Sequence, residues 1–251
     1  MFESIAGKRV LVTGASSGIG EAIARIFADY GARVGLHYFQ SKTKALALAQ
    51  DLRQKGITVA LFRADLITPK GRSTLIKKFA EHFGGIDVLI NNAGGVPEYK
   101  HFLDLNEREW GRAFELQTKA PFVLSRDAFV LMKKQGGGRI INISTVAVKY
   151  AGSKSLHYTA SKAALETLTR GLSREGAAHN VLANVIRCGL VDTPMRKKLA
   201  NYSEVAFQKR LSLVPLGRAG RPIDIAQMAL FLASEAGDFI TGECLSVAGG
   251  D

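Results

Sequence analysis

The sequence has few cysteines, no long apolar run and no metal-ligand pattern, and each absence argues against a class of protein. Its 251 residues contain two cysteines, Cys188 and Cys244, which predicts free thiols in a reducing compartment and not a disulfide framework. No run approaches the roughly 18 apolar residues that a membrane-spanning helix requires. The five histidines show no metal-site spacing, so we expect no structural metal.

Composition and charge indicate a globular protein with a basic excess. Apolar residues make up 47% and charged residues 22% of the chain, and Met1-Phe2-Glu3-Ser4 does not resemble a secretory signal. We therefore expect a cytoplasmic protein without a membrane partner. The net charge is +12, and seven basic residues against one acid fall between Pro194 and Arg221. This segment is interpreted either as a solvated face or as an attraction for an anionic substrate or partner. Because no nucleic-acid motif or basic tail accompanies it, no nucleic-acid partner is expected.

A glycine-rich turn follows the first apolar run. Residues 10–12 have the pattern of a strand and residues 21–30 that of an amphipathic helix, with Thr13-Gly14-Ala15-Ser16-Ser17-Gly18-Ile19-Gly20 between them. Such turns also occur for geometry alone. Glycine, however, lets the backbone approach a ligand that a Cβ would exclude, and the start of a helix favours a phosphate. The loop predicts a pyrophosphate site formed by Gly14, Ser16, Ser17, Gly18, Ile19 and Gly20.

Strand and helix patterns alternate about seven times, with no linker or low-complexity segment. The predicted strands are 8–13, 33–38, 57–62, 87–90, 139–143, 181–186 and 244–247. The predicted helices are 18–30, 42–54, 69–83, 107–134, 157–178, 194–213 and 223–234. This order predicts one α/β domain, 1–251, with a Rossmann-like, doubly wound parallel sheet of about seven strands and helices on both faces. We expect 194–213 to be a mobile substrate lid.

Polar or glycine-containing segments follow most of the predicted strands. In a doubly wound sheet, ligands bind beyond the carboxyl ends of the strands, where the strand order switches. The segments at those ends are Thr13 to Gly20, Asp65, Asn91 to Gly94, Ser144 with Thr145, and Gly189 to Thr193. Although they are distant in sequence, we expect them to converge on one crevice, which favours a cofactor site.

Tyr158-Thr159-Ala160-Ser161-Lys162 is the strongest candidate for chemistry. Positions i and i+4 of a helix share a face, so the phenol and the ammonium are expected to lie side by side. A neighbouring cation stabilises a phenolate and lowers the tyrosine pKa from about 10. The pair therefore indicates a proton donor and acceptor beside the crevice.

These motifs resemble those of the short-chain dehydrogenase/reductase family, in the branch similar to 3-oxoacyl-acyl-carrier-protein reductases. That branch also holds many sugar, polyol and steroid dehydrogenases. The matching segments, which occur in family order along the whole chain, are Thr13-x-x-x-x-Gly18-Ile19-Gly20, Asp65, Asn91-Asn92-Ala93-Gly94, Ile140-Ile141-Asn142-Ile143-Ser144, Tyr158-x-x-x-Lys162, Gly189-x-x-x-Thr193-Pro194, Pro215-Leu216-Gly217-Arg218 and Ile240-Thr241-Gly242. The resemblance implies an oxidoreductase that transfers a hydride between a nicotinamide cofactor and a carbonyl or alcohol substrate.

The resemblance also implies roles for individual residues. Tyr158 is the general acid–base, and Lys162 lowers its pKa and binds the nicotinamide ribose. Thr145 stands where the family has a serine that donates to the substrate oxygen. Gln117 stands where the family has an asparagine that carries a water chain to the lysine. Because of these two departures, a non-catalytic dinucleotide-binding sensor is an alternative to an active enzyme.

The end of the second strand favours NADP(H) over NAD(H). NAD-preferring relatives place an acid there for the ribose 2′-hydroxyl, whereas this chain has Tyr38 and no carboxylate as far as Lys42. Ser41 and Lys42 can bind a 2′-phosphate. The resemblance assigns the remaining cofactor contacts. These are Asp65 and Leu66 for the adenine, Asn92, Ala93 and Gly94 for the ribose side, and Gly189, Val191 and Thr193 for the nicotinamide side.

Substrate selection is expected from three loops. Their candidate residues are Val96, Tyr150, His157, Met195 and Arg196. A 3-oxoacyl thioester, or another carbonyl compound that carries an anionic group, is one expectation, and a sugar, polyol or other small ketone is the alternative. The resemblance also implies a homotetramer in which helices 107–134 and 157–178 pair across subunits.

Overall fold

The elements of the fold are taken from a computed structural model that describes residues 2–95, 99–151, 154–194 and 203–251. The strands are β1 Arg9–Val12, β2 Arg33–Tyr38, β3 Val59–Arg63, β4 Val88–Asn91, β5 Gly138–Thr145, β6 Val181–Cys188 and β7 Cys244–Val247. The α-helices are α1 Gly18–Asp29, α2 Lys42–Gln54, α3 Pro69–Phe83, α4 Glu107–Phe114, α5 Ala120–Lys134, α6 Ala147–Tyr150, α7 Leu156–Gly176, α8 Glu204–Leu211 and α9 Pro222–Ala233. Short 3-10 turns occur at Glu3–Ile5, Phe102–Asp104, Ala177–His179 and Glu235–Gly237.

The seven strands form one parallel sheet in the order β3-β2-β1-β4-β5-β6-β7. Val10 in the middle of β1 pairs with Val34 on one side and with Val88 on the other. The chain therefore moves outward through β2 and β3 and then returns to the opposite side of β1. This reversal places the carboxyl ends of β1 and β4 on either side of the switch point, where ligands bind in such sheets. The predicted fold class is confirmed.

Alternating side chains of the central strands fill two separate apolar layers. Val10 and Val12 of β1 belong to the core cluster that includes Phe27 of α1, whereas Leu11 belongs to the cluster that includes Phe79 of α3. Successive strand residues point to opposite faces, and every one of these five side chains is buried. Each large side chain removed from water contributes about 2 kcal/mol. The strands are thus held from both faces, which fixes the positions of their carboxyl ends.

A buried polar chain connects the sheet to two helices beneath the candidate site. Asn91 at the end of β4 donates through Nδ2 to Asn142 Oδ1 of β5 at 2.8 Å and to Ser125 Oγ of α5 at 3.1 Å. Asn142 in turn donates through Nδ2 to Thr169 Oγ1 of α7 at 2.8 Å. Buried amides are costly unless they are hydrogen-bonded, so this chain holds α5 and α7 at defined positions against β4 and β5.

The helix predicted over 107–134 is not a single α-helix. A π-helical turn, Glu115–Lys119, separates α4 from α5, and the Ala120 N–H donates to the Glu115 carbonyl. Pro121 follows directly, and it has no N–H to donate to the carbonyl four residues earlier. Gln117 lies inside this turn, whose wider geometry often occurs at functional sites.

Other boundaries differ by a few residues from their predicted positions. Within 194–213, the helix that the structure describes is α8, and residues 195–202 lie outside the described part of the chain. Both cysteines are free thiols, but only Cys188 is buried, since Cys244 lies on the edge strand β7 and is half-buried. Among the residues that were placed, no helix is long and apolar enough to span a membrane.

Candidate active site

Thr13 joins the glycine-rich loop to the turn that follows β4. Its Oγ1 accepts hydrogen bonds from the backbone N–H groups of Asn92 and Ala93, both at 2.9 Å, and donates to the Ile90 carbonyl at 3.1 Å. The Asn92 side chain donates back to the Thr13 carbonyl at 2.9 Å. The two segments at the switch point are therefore held together as one unit.

Two glycines of the loop are required, one for its backbone conformation and the other for close packing. Gly14 has a φ of +66°, which an L side chain rarely adopts. A Cβ at Gly20 would overlap the carbonyl oxygen of Gly14 and the side-chain amide of Asn92. The backbone of the first turn of α1 thus lies directly against the start of the loop.

The same turn presents unpaired donors to the cavity. In the described part of the chain, no acceptor is found for the backbone N–H groups of residues 16–20, whereas Glu21 N–H donates to the Ser17 carbonyl. Helix α1 begins at Gly18, and its positive dipole end lies among these donors. This cradle has the chemistry of an anion site and suits the pyrophosphate of a dinucleotide.

A cavity of about 480 Å³ opens beyond the carboxyl ends of the central strands. The predicted residues that line it are Gly14, Ser16, Ser17, Gly18, Ile19, Gly20, Tyr38, Ser41, Asp65, Leu66, Asn92, Ala93, Gly94, Thr145, Tyr158, Lys162, Gly189, Val191 and Thr193. Sequence-distant segments are therefore brought to one crevice. Lys42, Gln117, Tyr150 and His157 do not line it, and Val96, Met195 and Arg196 lie outside the described residues.

Three of the residues outside the lining occupy different environments. Lys42 is the first residue of α2 and is exposed, next to the lining residue Ser41. Tyr150 ends the short helix α6 and is 62% exposed. His157 is 2% exposed, and burial lowers its pKa below the ordinary histidine value. Its imidazole packs inside the protein and away from the cavity surface.

Gln117 supports the wall of the cavity from behind. It is buried, and its Nε2 donates to the Gly95 carbonyl at 2.8 Å. A Cβ at Gly94 would overlap the Gln117 amide oxygen, and no donor to that oxygen is found among the residues that the structure includes. The longer side chain of glutamine, compared with asparagine, thus contacts the backbone of the turn after β4.

Tyr158, Lys162 and Thr145 meet at one side of the cavity. Tyr158 and Lys162 lie one turn apart near the start of α7, and Lys162 Nζ donates to the Ile143 carbonyl at 2.7 Å. The Thr145 hydroxyl, at the end of β5, lowers the pKa of the neighbouring Tyr158 hydroxyl and accepts from the Ala147 N–H at 3.2 Å. A substrate oxygen placed there would meet two hydroxyl groups and lie near a cation.

Burial dominates the electrostatics of this arrangement. It raises the pKa of Tyr158 above the ordinary tyrosine value, with a further rise from Cys188 and a smaller lowering from the Thr145 hydrogen bond. Burial also lowers the pKa of Lys162 to about 8, against the opposing effects of Cys188 and Glu166. The expectation that Lys162 gives Tyr158 a lowered pKa is therefore wrong for this structure. The pKa is raised instead, because loss of hydration disfavours the charged phenolate.

Sequence reasoning did not single out Glu166, which lies one helical turn after Lys162. It is 1% exposed; its Oε1 accepts from Ser144 Oγ at 2.7 Å, and Arg187 donates to both carboxylate oxygens at 2.9 and 2.5 Å. Ser144 therefore points away from Thr145, as alternation along a strand requires. Its i, i+4 spacing from Lys162 could have predicted that Glu166 lies on the same face of α7.

Further lining residues were also missed, although they adjoin predicted ones. They are His37, Phe39, Gln40, Ala64, Ile67, Gly95, Tyr99, Arg112, Leu116, Ile143 and Cys188. Most of them lie next to the end of a strand, and that position in the sequence could have predicted that they line the cavity. Ser144, which was expected in this crevice beside Thr145, also lines it. Asp65 is the only carboxylate among the lining residues that the structure describes, and it accepts a hydrogen bond from the Ile67 N–H at 3.0 Å.

Comparison with known proteins decides the family. The family profile described as "Enoyl-(Acyl carrier protein) reductase" matches residues 14–251. The chain is 36% identical to the 3-oxoacyl-[acyl-carrier-protein] reductase FabG of Vibrio cholerae, over 98% of each chain. The protein belongs to the short-chain dehydrogenase/reductase family. As a member, it is an oxidoreductase that acts on CH–OH groups with NAD or NADP.

Two solved structures that resemble this chain agree with the fold. A short-chain dehydrogenase from Burkholderia cenocepacia in complex with NADP is 31% identical, with a TM-score of 0.90 and 98% of each chain covered. A blue fluorescent protein from a metagenomic library in complex with NADPH is 35% identical, with a TM-score of 0.91 and 98% of each chain covered. The predicted short-chain dehydrogenase/reductase identity and its Rossmann-like sheet are both confirmed.

Proposed function

We propose that this short-chain dehydrogenase/reductase is an NADP(H)-dependent reductase of 3-oxoacyl thioesters with Tyr158 as its general acid–base. The observation that carries the proposal is the meeting of Thr145, Tyr158 and Lys162 in the cavity beyond the sheet. The similarity to a 3-oxoacyl-[acyl-carrier-protein] reductase supports the thioester substrate. The proposed substrate is a thioester-linked carbonyl compound, and no nucleic-acid partner is proposed.

The protein supplies the proton and the orientation for carbonyl reduction. NADPH, when bound, supplies the hydride to the carbonyl carbon. The Thr145 hydroxyl donates to the carbonyl oxygen and orients it, and Tyr158 transfers its proton to the same oxygen. Tyr158 is protonated at neutral pH, as an ordinary tyrosine with a pKa of about 10 is, and burial raises its pKa further. The protonated form is the one that a general acid needs.

Lys162 stabilises the phenolate that remains after the proton transfer. Its hydrogen bond to the Ile143 carbonyl holds the ammonium beside the tyrosine, on the helix face they share. With a pKa of about 8, it is mostly charged at neutral pH. We assign Lys162 the hydrogen bond to the nicotinamide ribose as well. Gln117 then acts behind the site, through the Gly95 carbonyl.

The cofactor preference follows from the end of β2. Tyr38, Phe39, Gln40 and Ser41 line the cavity there, and none carries a negative charge that would repel a 2′-phosphate. The exposed Lys42 follows at the start of α2 and provides a cation. The N–H groups of residues 16–20, which have no acceptor among the residues that the structure describes, suit the pyrophosphate. Both cofactor-bound relatives described above hold NADP or NADPH, which supports NADP(H) for this chain.

The deciding experiment measures NADPH and NADH oxidation with a panel of carbonyl compounds. The panel contains an acetoacetyl thioester, a 2-ketose, an α-diketone and an anionic keto acid, and each is tested with Tyr158→Phe and with Tyr99→Phe. Tyr99 lines the same cavity, so its variant controls for the loss of a phenol hydroxyl. Thioester turnover with NADPH that is lost only in Tyr158→Phe supports the proposal.

Other outcomes of this experiment identify the alternatives. Turnover restricted to the 2-ketose or the α-diketone would replace the thioester with a sugar, polyol or small-ketone substrate. Tight NADPH binding without turnover of any compound would favour the dinucleotide-binding sensor. Restoring activity through Gln117→Asn and Thr145→Ser would then assign the loss to those two positions.

We also propose a homotetramer of single-domain subunits, each a unit of residues 1–251. Exposed apolar side chains on α4 and α5 support pairing of these helices, since Trp110, Phe122 and Val130 are 42%, 45% and 50% exposed. The role of 194–213 as a substrate lid remains a prediction. Analytical ultracentrifugation tests the assembly, and a sedimenting monomer would overturn it.

A further inference from the structure

His37 bridges the glycine-rich loop and the end of a neighbouring strand. It is the penultimate residue of β2, is 3% exposed and lines the cavity. Its Nδ1 accepts the backbone N–H of Gly14 at 3.1 Å, and its Nε2 lies 3.1 Å from the Ala64 carbonyl oxygen. A carbonyl only accepts, so Nε2 carries the proton and Nδ1 is left as the acceptor. One neutral tautomer satisfies both partners.

The same residue also binds the loop through its backbone. The His37 carbonyl accepts the Ala15 N–H at 2.9 Å. The first two N–H groups after Thr13 are therefore both taken by His37, whereas those of residues 16–20 have no acceptor within the described part of the chain and remain for a ligand. Gly14 has a φ of +66°. The orientation of its N–H therefore affects the direction in which the backbone continues into residues 16–20.

We propose that His37 is a positioning residue that orients the Gly14 N–H and thereby directs the free donors of residues 16–20 at the pyrophosphate of the cofactor. The identity of this ligand rests on the proposed function. Burial lowers the pKa of His37 to about 4, so the imidazole is neutral at neutral pH. A protonated ring would present a second N–H toward the Gly14 N–H, and no hydrogen bond could form between two donors.

Two variants separate the two side-chain hydrogen bonds of His37. In His37→Asn, Oδ1 takes approximately the place of Nδ1, so it keeps an acceptor for Gly14 and loses the donor to Ala64. In His37→Gln, Nε2 takes approximately the place of the imidazole Nε2, so it keeps the donor to Ala64 and leaves Gly14 without an acceptor. Both remove one buried hydrogen bond, so a purely structural role predicts similar effects from the two.

The experiment measures the Kd of the full-length variants for NADPH and for 2′-AMP by fluorescence and calorimetric titration. 2′-AMP carries the adenosine and the 2′-phosphate but no pyrophosphate. We expect His37→Gln to weaken NADPH about tenfold, the equivalent of roughly 1.4 kcal/mol, and His37→Asn to stay within about threefold of the native protein. Neither variant should change the Kd for 2′-AMP.

Two results would overturn the positioning role while leaving the proposed function intact. One is native NADPH affinity in His37→Gln, and the other is an equal loss of NADPH and 2′-AMP binding in both variants, which would indicate general disruption. Failure of the native protein to bind NADPH or NADH would instead overturn the proposed function, and the ligand of this loop with it.

Discussion

The Lys162 ammonium donates a hydrogen bond to the Ile143 carbonyl oxygen at 2.7 Å, and both residues are buried. Lys162 belongs to α7, which carries Tyr158, and Ile143 belongs to β5, which ends at Thr145. This single bond therefore connects the helix that holds the proposed proton donor with the strand that holds the proposed orienting hydroxyl. Mutations and pH changes that act on it should be visible in catalysis.

Reductase activity should fall on the alkaline side of about pH 8. The pKa of Lys162 is lowered to about 8, so its charge is lost as the pH rises through that value. We expect kcat/KM to decrease about tenfold per pH unit above it. Lys162→Arg keeps its charge and should lack this decrease, at a lower overall rate. The same alkaline decrease in the arginine variant would assign it to another group.

Substitutions at the end of β2 should change the preference between NADPH and NADH. Tyr38→Asp places a carboxylate where it repels a 2′-phosphate and accepts a 2′-hydroxyl, so kcat/KM for NADPH should fall about tenfold or more relative to NADH. Lys42→Ala should cost NADPH only a few-fold because Lys42 is exposed. Lys44→Ala, another exposed lysine of α2, is the matched control and should change neither cofactor.

Gly20→Ala should destabilise the protein and prevent cofactor binding. The added Cβ would overlap the Gly14 carbonyl and the Asn92 amide, at a cost of about 3 kcal/mol. Gly111→Ala is the matched control, because its added Cβ on α4 has no atom within 4 Å in the described part of the chain apart from its chain neighbours and its own helix backbone. It should stabilise the subunit by up to about 1 kcal/mol. Urea denaturation measures both, and equal effects would contradict the loop geometry.

Glu166→Gln should destabilise the protein by about 3 kcal/mol. The substitution leaves the largely buried Arg187 guanidinium without its carboxylate. Glu166→Leu combined with Arg187→Leu removes both charges and should recover much of the loss. Ser144→Ala, which removes only one neutral donor to the carboxylate, should cost about 1 kcal/mol. A Glu166→Gln effect no larger than that of Ser144→Ala would show that the ion pair contributes little.

Stability should decrease between about pH 6.5 and pH 4 because of His37. Burial lowers its folded pKa to about 4 from 6.5, against a smaller opposing effect of Asp65. The unfolded chain therefore binds more protons in this interval, and the free energy of unfolding rises with pH across it. The difference of about 2.5 pKa units corresponds to about 3 kcal/mol. His37→Asn should remove this contribution in denaturation at several pH values, and an unchanged slope would contradict it.

Local patterns in the sequence predict the architecture and most of the candidate site. Alternating strand and helix patterns, with glycines between them, permit little besides a doubly wound parallel sheet, and such a sheet brings the segments after its strands to one edge. That rule correctly placed Asp65, Asn92 and Val191 in one cavity. The i, i+4 spacing likewise placed Tyr158 beside Lys162, since it depends only on local helix geometry.

The hydrogen bonds between distant residues, and the loss of water by individual side chains, depend on how the separate elements pack. His37 meets Gly14 because β1 and β2 are adjacent and in a particular register, which no local pattern encodes. Burial likewise separated His157 from the cavity and reversed the expected shift of the Tyr158 pKa. Periodicity in a sequence describes one element at a time, whereas burial and pairing arise from how separate elements pack against one another.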